Sequence, residues 1–458
     1  MSVIIGATQD RRREYIPSWG LWIPIAWLVL TIARPVNYWL NPAPIGGLVN
    51  DNIDDIYNSA VNRNVLIVLM TLGLIILARR RIGWSSWLKN NRILLALFIY
   101  MGISILWSDF IGVSFKRWFR AIGDLMMTLI VLTEKHPDEA IQCVLRRSAI
   151  ILIVLSVILI NFFPQLGVKA FSGTGASWVG VTSHKNQLGI LTCVSAVFLV
   201  WSLFTNKVKS NGKNLIDIAV LLMALWLLFG FGIPTGGTSM TSKVIFVISC
   251  LFLWALGKFR ILVPEILNRL VIVIFFSSAL FFLIGEAFIV DILSKDVLTP
   301  LGRDVTLTGR TDLWKELVAI GNMHPILGSG YGGFWVEGNH KLDLLWERFP
   351  WTPNQAHNGY LEVYISLGIA GLVLLVGLIS SVYKKIMSLL ARDIGFGRFR
   401  ITLFFMILIY NLTESSMTRP TNFLWFLFLI LAVDPPVLSL QAKNIGDDTR
   451  GDFRASRK

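Results

Sequence analysis

Cysteine, histidine and charge are all scarce in this chain of 458 residues. Its three cysteines, Cys143, Cys193 and Cys250, are odd in number and widely spaced, which excludes a disulfide framework. The five histidines form no HExxH pair and no Cys/His cluster, so we expect neither a metal site nor another cofactor. Charged residues make up only 15% of the chain, too few for a water-soluble protein of this size.

Long apolar runs are what the sequence has instead. Hydrophobic residues make up 54% of the chain and the mean hydropathy is +0.64. Runs of membrane-spanning length recur from end to end, which predicts an all-α polytopic membrane protein. We expect about twelve spans, near residues 18–33, 64–78, 93–107, 118–133, 148–163, 187–205, 215–233, 243–257, 270–292, 358–382, 401–412 and 421–434.

The basic residues predict the orientation of these spans. A net charge of +14 could indicate a nucleic-acid partner, but the cations are spread over short loops, so no nucleic acid is expected. If both termini are cytoplasmic, most cations lie inside, and Asp51, Asp54 and Asp55 lie outside. The basic N-terminus resembles a signal peptide, but no small-residue cleavage site follows, which favours an uncleaved first span.

The longest hydrophilic segment, residues 293–357, then lies outside as a periplasmic loop between spans nine and ten. The chain divides into an N-terminal bundle of about nine spans (1–292), this loop, C-terminal membrane helices (358–435) and a basic cytoplasmic tail (436–458). Loops of this length are usually functional.

Within this loop, "LTGRTDLWKELVAIGNMHP" predicts a helix capped by Thr308 or Thr311. Its apolar residues share one face, which we expect against the membrane surface: Leu313, Leu317 and Ile320. Arg310 stands at the helix N-terminus, where free backbone N–H groups already favour an anion. The alternative is a structural surface helix with Arg310 as a solvated cap.

Six basic residues fall on the outer face against the charge rule. They are Arg117, Arg120, Lys185, Lys243, Arg310 and Arg419. Each could be an anchor that snorkels to the headgroups. Together they predict a cationic bowl that binds a pyrophosphate, because arginine forks hold phosphate oxygens in pairs. "GSGYGG" (328–333) follows no strand and opens no helix of a βαβ unit, so it is not a nucleotide-binding loop.

His357 lies where this polar loop meets an apolar helix, in "PNQAHNGYLEVYISLGIAGL". A neutral imidazole beside a phosphate site can act as general base for a hydroxyl nucleophile. Asn358 follows it, and Glu362 could orient a partner or pair with an arginine. His184 and Asn186, in "GVTSHKNQLG", could line the same bowl. The alternative for His357 is that it is a hydrogen-bonded histidine at the membrane interface. The alternative for His184 is a capping or interface role.

Four stretches occur in an order that resembles the O-antigen ligase and polymerase superfamily, most closely exopolysaccharide polymerases of the succinoglycan type. They are "GVTSHKNQLG", "LTGRTDLW", "HPILGSGYGGFW" and "AHNGYLEVYISLGIAGL". The resemblance, over about residues 60–435, implies a helical membrane glycosyltransferase (GT-C) fold. It also implies metal-independent, inverting transfer of a glycan from undecaprenyl pyrophosphate to a glycan acceptor, at the periplasmic face of the bacterial inner membrane.

The same resemblance implies roles for particular residues. The pyrophosphate-binding arginine of the family falls on Arg310 and its essential histidine on His357. Lys185 or Lys243 stands where the ligases have a further arginine. Glu414, in "NLTESSM", is implied as an acceptor contact. Chain-length-regulating or export proteins are implied as partners.

Two other functions stay open at this point. A ligase that moves a finished glycan onto lipid A core or a protein differs from a polymerase in its acceptor rather than its chemistry. A flippase for lipid-linked sugars is disfavoured because the spans show no obvious inverted repeat.

Overall fold

The computed structural model describes residues 16–40, 59–171, 175–205, 211–232, 237–258, 310–349 and 351–435. Several predictions concern residues outside these ranges: the span 270–292, the cap Thr308, the acidic residues Asp51, Asp54 and Asp55, and the tail from residue 436. The helices are α1 Trp22–Ile32, α2 Val36–Leu40, α3 Ala60–Arg79, α4 Trp84–Asn90, α5 Arg92–Ile103, α6 Ile111–Leu132, α7 Pro137–Phe162, α8 Pro164–Gly167, α9 Lys185–Thr205, α10 Asn211–Phe229, α11 Met240–Lys258, α12 Arg310–Gly321, α13 His340–Arg348, α14 Gly359–Arg392, α15 Ile394–Tyr410 and α16 Phe423–Ala432.

Short non-helical pieces connect them. Two 3-10 turns lie at Trp19–Leu21 and Ser104–Trp107. Strands β1 Val168–Phe171 and β2 Gly175–Trp178 form an antiparallel hairpin in which Val168 pairs with Trp178.

Local capping chemistry sets where several helices begin. Asp393 accepts hydrogen bonds from the first backbone N–H groups of α15, and Asn422 does the same for α16. Pro137 opens α7 at a position where its missing N–H costs nothing. The side chains of Asp393 and Asn422 thus satisfy backbone N–H donors that the start of a helix leaves without partners.

Five described helices are long and apolar enough to cross a membrane: α3, α7, α9, α11 and α14. The pair α4 and α5, bent by 86°, could form a sixth. These helices overlap spans predicted from the sequence, and the chain is mostly helical, as expected for a polytopic membrane protein. The predicted spans 18–33, 215–233 and 421–434 coincide with shorter apolar helices. The total of twelve stays a prediction.

The longest helix, α14, is broken near its start. Gly368 has a φ of +63°, and a Cβ there would lie 2.3 Å from the carbonyl oxygen of Ile326. The loop segment at Pro325 and Ile326 fills the break, because their carbonyls accept hydrogen bonds from the N–H groups of Ile369 and Ala370. Glycine fits here because a side chain would both strain the backbone and collide with the loop. The predicted span 358–382 is therefore two helical pieces rather than one.

The prediction for the apolar face of α12 was wrong. The apolar face of α12 was expected against the membrane surface, but Leu313 and Leu317 are fully buried. They belong to a second hydrophobic core, separate from the main core of the bundle, with side chains of α13, the following loop and the first turns of α14. Helical periodicity identified the buried face but not its partner, which is contributed by distant parts of the chain.

Ion pairs fasten the opposite end of the bundle. Arg80 pairs with Glu134 just past the end of α6, and Lys385 lies 3.1 Å from Asp434 beyond α16. Arg146 of α7 pairs with Asp217 of α10 at 2.6 Å. The charged residues discussed next lie at the other end of these helices.

Candidate active site

Glu414 joins three parts of the chain that are far apart in sequence. Its Oε1 accepts a hydrogen bond from Asn186 Nδ2 at 2.7 Å and lies 3.6 Å from Arg310 Nη2. Its Oε2 lies 3.6 Å from His357 Nδ1. The residue is only 9% exposed. We call Glu414, Asn186, Arg310 and His357 the Glu414 cluster.

The charges around Glu414 keep its carboxylate ionised. Burial alone would raise the pKa of Glu414. The hydrogen-bonding interaction with His357 and the charges of His357, Arg310 and His184 outweigh burial, so the pKa is held below its usual value. The cluster therefore has a fixed negative charge between a guanidinium and an imidazole.

The loop that carries Glu414 is held at both ends. At its start, Asn411 Oδ1 accepts hydrogen bonds from the N–H groups of Ser416 and Met417, both at 3.0 Å. At its end, Asp124 accepts hydrogen bonds from the N–H of Thr421 and the indole of Trp27, both at 2.8 Å. Because Asp124 is fully buried in α6, it fixes the loop to the bundle.

Arg310 is the first residue of α12, and its guanidinium is also fixed. Nη1 donates to the carbonyl oxygen of Thr413 at 2.6 Å, while Nη2 faces Glu414. Its side chain is 19% exposed. A guanidinium has five N–H donors, so these contacts leave capacity for an anion.

His357 is held in a strained backbone conformation. Its φ is +50°, in the left-handed region that residues with a side chain rarely adopt. The preceding residue, Ala356, is clamped on both sides: its carbonyl accepts from the Trp314 indole at 2.7 Å, and its N–H donates to Glu362 Oε2 at 2.9 Å. These contacts hold the backbone that leads into His357, and strained backbone of this kind clusters at functional sites.

Asn358 and Glu362 are buried supports of this loop. Asn358 is 1% exposed and caps α14, accepting from the N–H groups of Tyr360 and Leu361. Glu362 is 8% exposed and accepts a hydrogen bond from the backbone N–H of Ala356, which favours the orienting role over the alternative of an arginine pair. Their contacts favour an orienting role over direct contact with an acceptor.

Arg419 reaches the cluster through a neutral side chain. Its Nη1 donates to Gln355 Oε1 at 2.5 Å, and Gln355 Nε2 lies 3.3 Å from His357 Nδ1.

Burial and the charge of Asp124 raise the pKa of Tyr331, whereas the charges of Arg117, Arg419 and Arg120 lower it. The charges of these three predicted bowl arginines thus act on one buried tyrosine, whose hydroxyl donates to the carbonyl oxygen of Thr418 at 2.6 Å.

Arg117 fastens the glycine-rich segment rather than facing the Glu414 cluster. Its guanidinium donates to the carbonyl oxygens of Gly332 and Trp335, the latter at 2.8 Å. Gly332 has a φ of +65°, and a Cβ there would lie 2.8 Å from Arg117 Cδ. The glycines of "GSGYGG" thus permit close packing, which agrees with the exclusion of a nucleotide-binding loop.

The remaining predicted residues lie at the same end of the bundle. His184 Nδ1 accepts from the N–H of Asn186 at 3.2 Å, and Lys185 is the first residue of α9. Lys243 lies in the first turn of α11, where Ser242 packs against Gly189 of α9. Within the described ranges, no group of three or more His, Cys, Asp or Glu side chains could hold a metal ion.

Sequence reasoning missed Gln355, Trp314 and Asp124. The first two act through contacts that no local spacing reveals. Asp124 had a visible signal, since an acid within an apolar helix usually has a specific partner.

Two comparisons with known proteins bear on this geometry. A family model described as O-antigen ligase matches residues 170–376, a range that contains Arg310 and His357 but not Glu414. The chain is 25% identical over 304 residues to the exopolysaccharide production protein ExoQ of Rhizobium meliloti (strain 1021). That alignment covers 65% of this chain and 66% of the relative, so it spans just under two thirds of the relative's length.

Proposed function

We propose that the chain is a member of the O-antigen ligase and exopolysaccharide polymerase family and that it is a membrane glycosyltransferase of exopolysaccharide biosynthesis. It would polymerise oligosaccharide units carried on undecaprenyl pyrophosphate at the periplasmic face of the inner membrane. The contact of Glu414 with both His357 and Arg310 is the observation that carries this proposal. It sets a candidate base beside a cation that can bind a phosphate.

In the proposed reaction, His357 Nε2 takes the proton from an acceptor hydroxyl. The acceptor oxygen then forms a bond to the anomeric carbon from the face opposite the diphosphate. The bond from that carbon to the diphosphate oxygen breaks, and its electron pair leaves with the diphosphate. The configuration at the carbon is inverted, and no metal takes part, as the family resemblance implies.

Glu414 would select the tautomer that this step needs. When Nδ1–H donates to Glu414, Nε2 has a free lone pair for the acceptor proton. In the other tautomer, Gln355 would donate to Nδ1. Nε2 would then already carry the ring hydrogen and could not take a proton from the acceptor hydroxyl. The fixed carboxylate also stabilises the imidazolium that forms, which is stabilisation of the transition state rather than of the substrate.

The arginines would act on the leaving group. A diphosphate is a good leaving group, so it needs cations rather than a proton donor. Arg310 is held by Thr413 and Glu414 with N–H groups to spare, and Arg419 is bound by the neutral Gln355. We propose that these two guanidinium groups bind the diphosphate and that Arg120, Lys185 and Lys243 add positive potential at the same end of the bundle.

The break in α14 supports a position of the proposed site at the membrane surface. The piece from Ile369 to Arg392 would be about 36 Å long, enough to cross the hydrocarbon core. The first piece and His357 would then stand outside it, near the headgroups where a lipid diphosphate lies. The topology of about twelve spans, the cytoplasmic termini, the GT-C-like fold and the domain division at residues 292, 357 and 435 stay part of the proposal.

A ligase uses the same chemistry on another acceptor, so the alternative is a ligase that transfers a finished glycan to lipid A core or a protein. Product size separates the two. Loss of a polymerase leaves single lipid-linked units in cells, whereas loss of a ligase leaves long unattached polymer. Chain-length-regulating or export proteins remain proposed partners.

The test is reconstitution of the purified protein in liposomes with an accessible undecaprenyl-pyrophosphate oligosaccharide and a chelator. We expect elongation by the unchanged protein and a loss of about a thousandfold or more in His357→Ala, because its base is gone. His340→Ala is the matched control, since His340 is an exposed histidine of the same loop. Normal elongation by His357→Ala would refute the mechanism, and no elongation by the unchanged protein would favour a flippase.

A further inference from the structure

An exposed tryptophan stands beside the candidate base. The rings of Trp351 and His357 have centroids 5.9 Å apart and are tilted by 45°. Trp351 is 41% exposed and lies between the buried Phe349 and the half-buried His357. Its ring is therefore presented to solvent at the edge of the Glu414 cluster.

The backbone around Trp351 is built to hold it there. The N–H of Thr352 donates to the carbonyl oxygen of Phe349 at 2.9 Å, which closes a tight turn, and Thr352 has a φ of +41°. Phe349 is buried and contacts Trp351 edge to face, with centroids 6.1 Å apart. What sets Trp351 apart is its place beside the candidate base and next to a residue of positive φ, because strained backbone of this kind clusters at active sites and ligand clamps.

The neighbouring tryptophans have structural duties instead. Trp314 donates its indole N–H to Ala356, and Trp346 donates to Pro353 at 2.9 Å. Both contacts fix the loop that ends in His357. Trp351 differs because 41% of its surface is exposed, so part of its indole ring can contact another molecule.

We propose that Trp351 is the stacking platform for the acceptor sugar, an inference that rests on the proposed function. A pyranose has an apolar face of C–H groups and an edge of hydroxyls. If one hydroxyl lies about 3 Å from His357 Nε2, the sugar ring lies within reach of the indole. Stacking buries apolar surface on both partners and holds the ring at a fixed angle to the base. Trp351 would thereby select acceptors that present such a face.

The test varies the acceptor at fixed donor concentration. Trp351→Ala should raise the acceptor KM by roughly tenfold while changing kcat little, because stacking is lost and the chemistry remains. Trp351→Phe should recover most of the lost affinity. Trp84→Ala is the matched control, since Trp84 is 45% exposed and lies at the opposite end of the bundle.

A second measurement does not depend on catalysis. The repeat-unit oligosaccharide, released by partial hydrolysis of the host's own polysaccharide, is titrated into His357→Ala protein with and without Trp351→Ala. Loss of its saturation-transfer NMR signal on Trp351→Ala supports the platform. An unchanged acceptor KM in an active Trp351→Ala protein overturns it, whereas absence of transfer by the unchanged protein overturns the proposed function instead.

Discussion

Replacement of Glu414 by glutamine is the sharpest test of the cluster. The change keeps the shape of the side chain and removes its charge. Asn186 and Thr413 keep Arg310 and the loop in place, because their contacts do not require a carboxylate at Oε2. What is lost is the anion that faces His357 Nδ1.

The size of the effect follows from the separation of the two groups. At 3.6 Å and an effective dielectric constant of about 20, a carboxylate and an imidazolium attract by about 4–5 kcal/mol. Their side chains are 11% and 15% exposed, so solvent screens part of this attraction. We expect a loss of about 2–4 kcal/mol in the transition state, or roughly 30- to 1,000-fold in kcat.

The assay is elongation by reconstituted protein with donor and acceptor varied separately. Arg310 loses its carboxylate neighbour in Glu414→Gln, so the donor KM should stay constant or fall while kcat falls. Glu414→Asp keeps the charge and should retain more activity. Glu316→Gln is the matched control, because Glu316 is a carboxylate of α12 that pairs with Arg348 rather than with His357.

A kcat for Glu414→Gln within threefold of the unchanged protein would refute the role of Glu414. A rise in donor KM at constant kcat would do so equally, since it would mean that Glu414 acts in donor binding. Equal losses in Glu316→Gln and Glu414→Gln would mean that the effect is not specific to the Glu414 cluster.

Two further predictions concern stability. Gly368→Ala should lower the free energy of unfolding by about 3 kcal/mol or more, because the new Cβ meets the Ile326 carbonyl in a left-handed backbone. Thermal unfolding in detergent measures this loss. Gly377→Ala in the same helix, whose Cβ would make only an ordinary contact of 3.7 Å with Ile93, should not be destabilising. Because the pKa of Glu414 is depressed below its ordinary value of 4.5, its stabilisation is fully present above that value and is lost as pH falls through the folded-state pKa. Glu414→Gln should therefore flatten the fall in melting temperature over this acid range, and an unchanged slope would contradict the depressed pKa.

Features with a local signature could be predicted from the sequence. The apolar runs identified the helices because a membrane span must satisfy its own backbone. The helix at Arg310 and the apolar helix that follows His357 could also be predicted, because helix caps and hydrophobic periodicity are properties of neighbouring residues.

Contacts between distant residues could not be predicted in this way. Glu414 lies 228 residues from Asn186, and nothing in "NLTESSM" indicates that it would meet Asn186, Arg310 and His357. The break at Gly368 was also hidden, because a glycine inside an apolar run is compatible with an unbroken helix. Its cause is the loop at Ile326, which packs into the break from another part of the chain.

The two oxygens of Glu414 resolve a conflict that the proposed chemistry creates. A cation that binds diphosphate repels the proton that a neighbouring base must accept. Oε1 faces Arg310 and Oε2 faces His357, so one carboxylate stands between the permanent charge and the charge that forms during reaction. The site can therefore keep a guanidinium for the donor and a basic imidazole for the acceptor within a few ångströms. An arginine and a histidine without this acid would each weaken the function of the other.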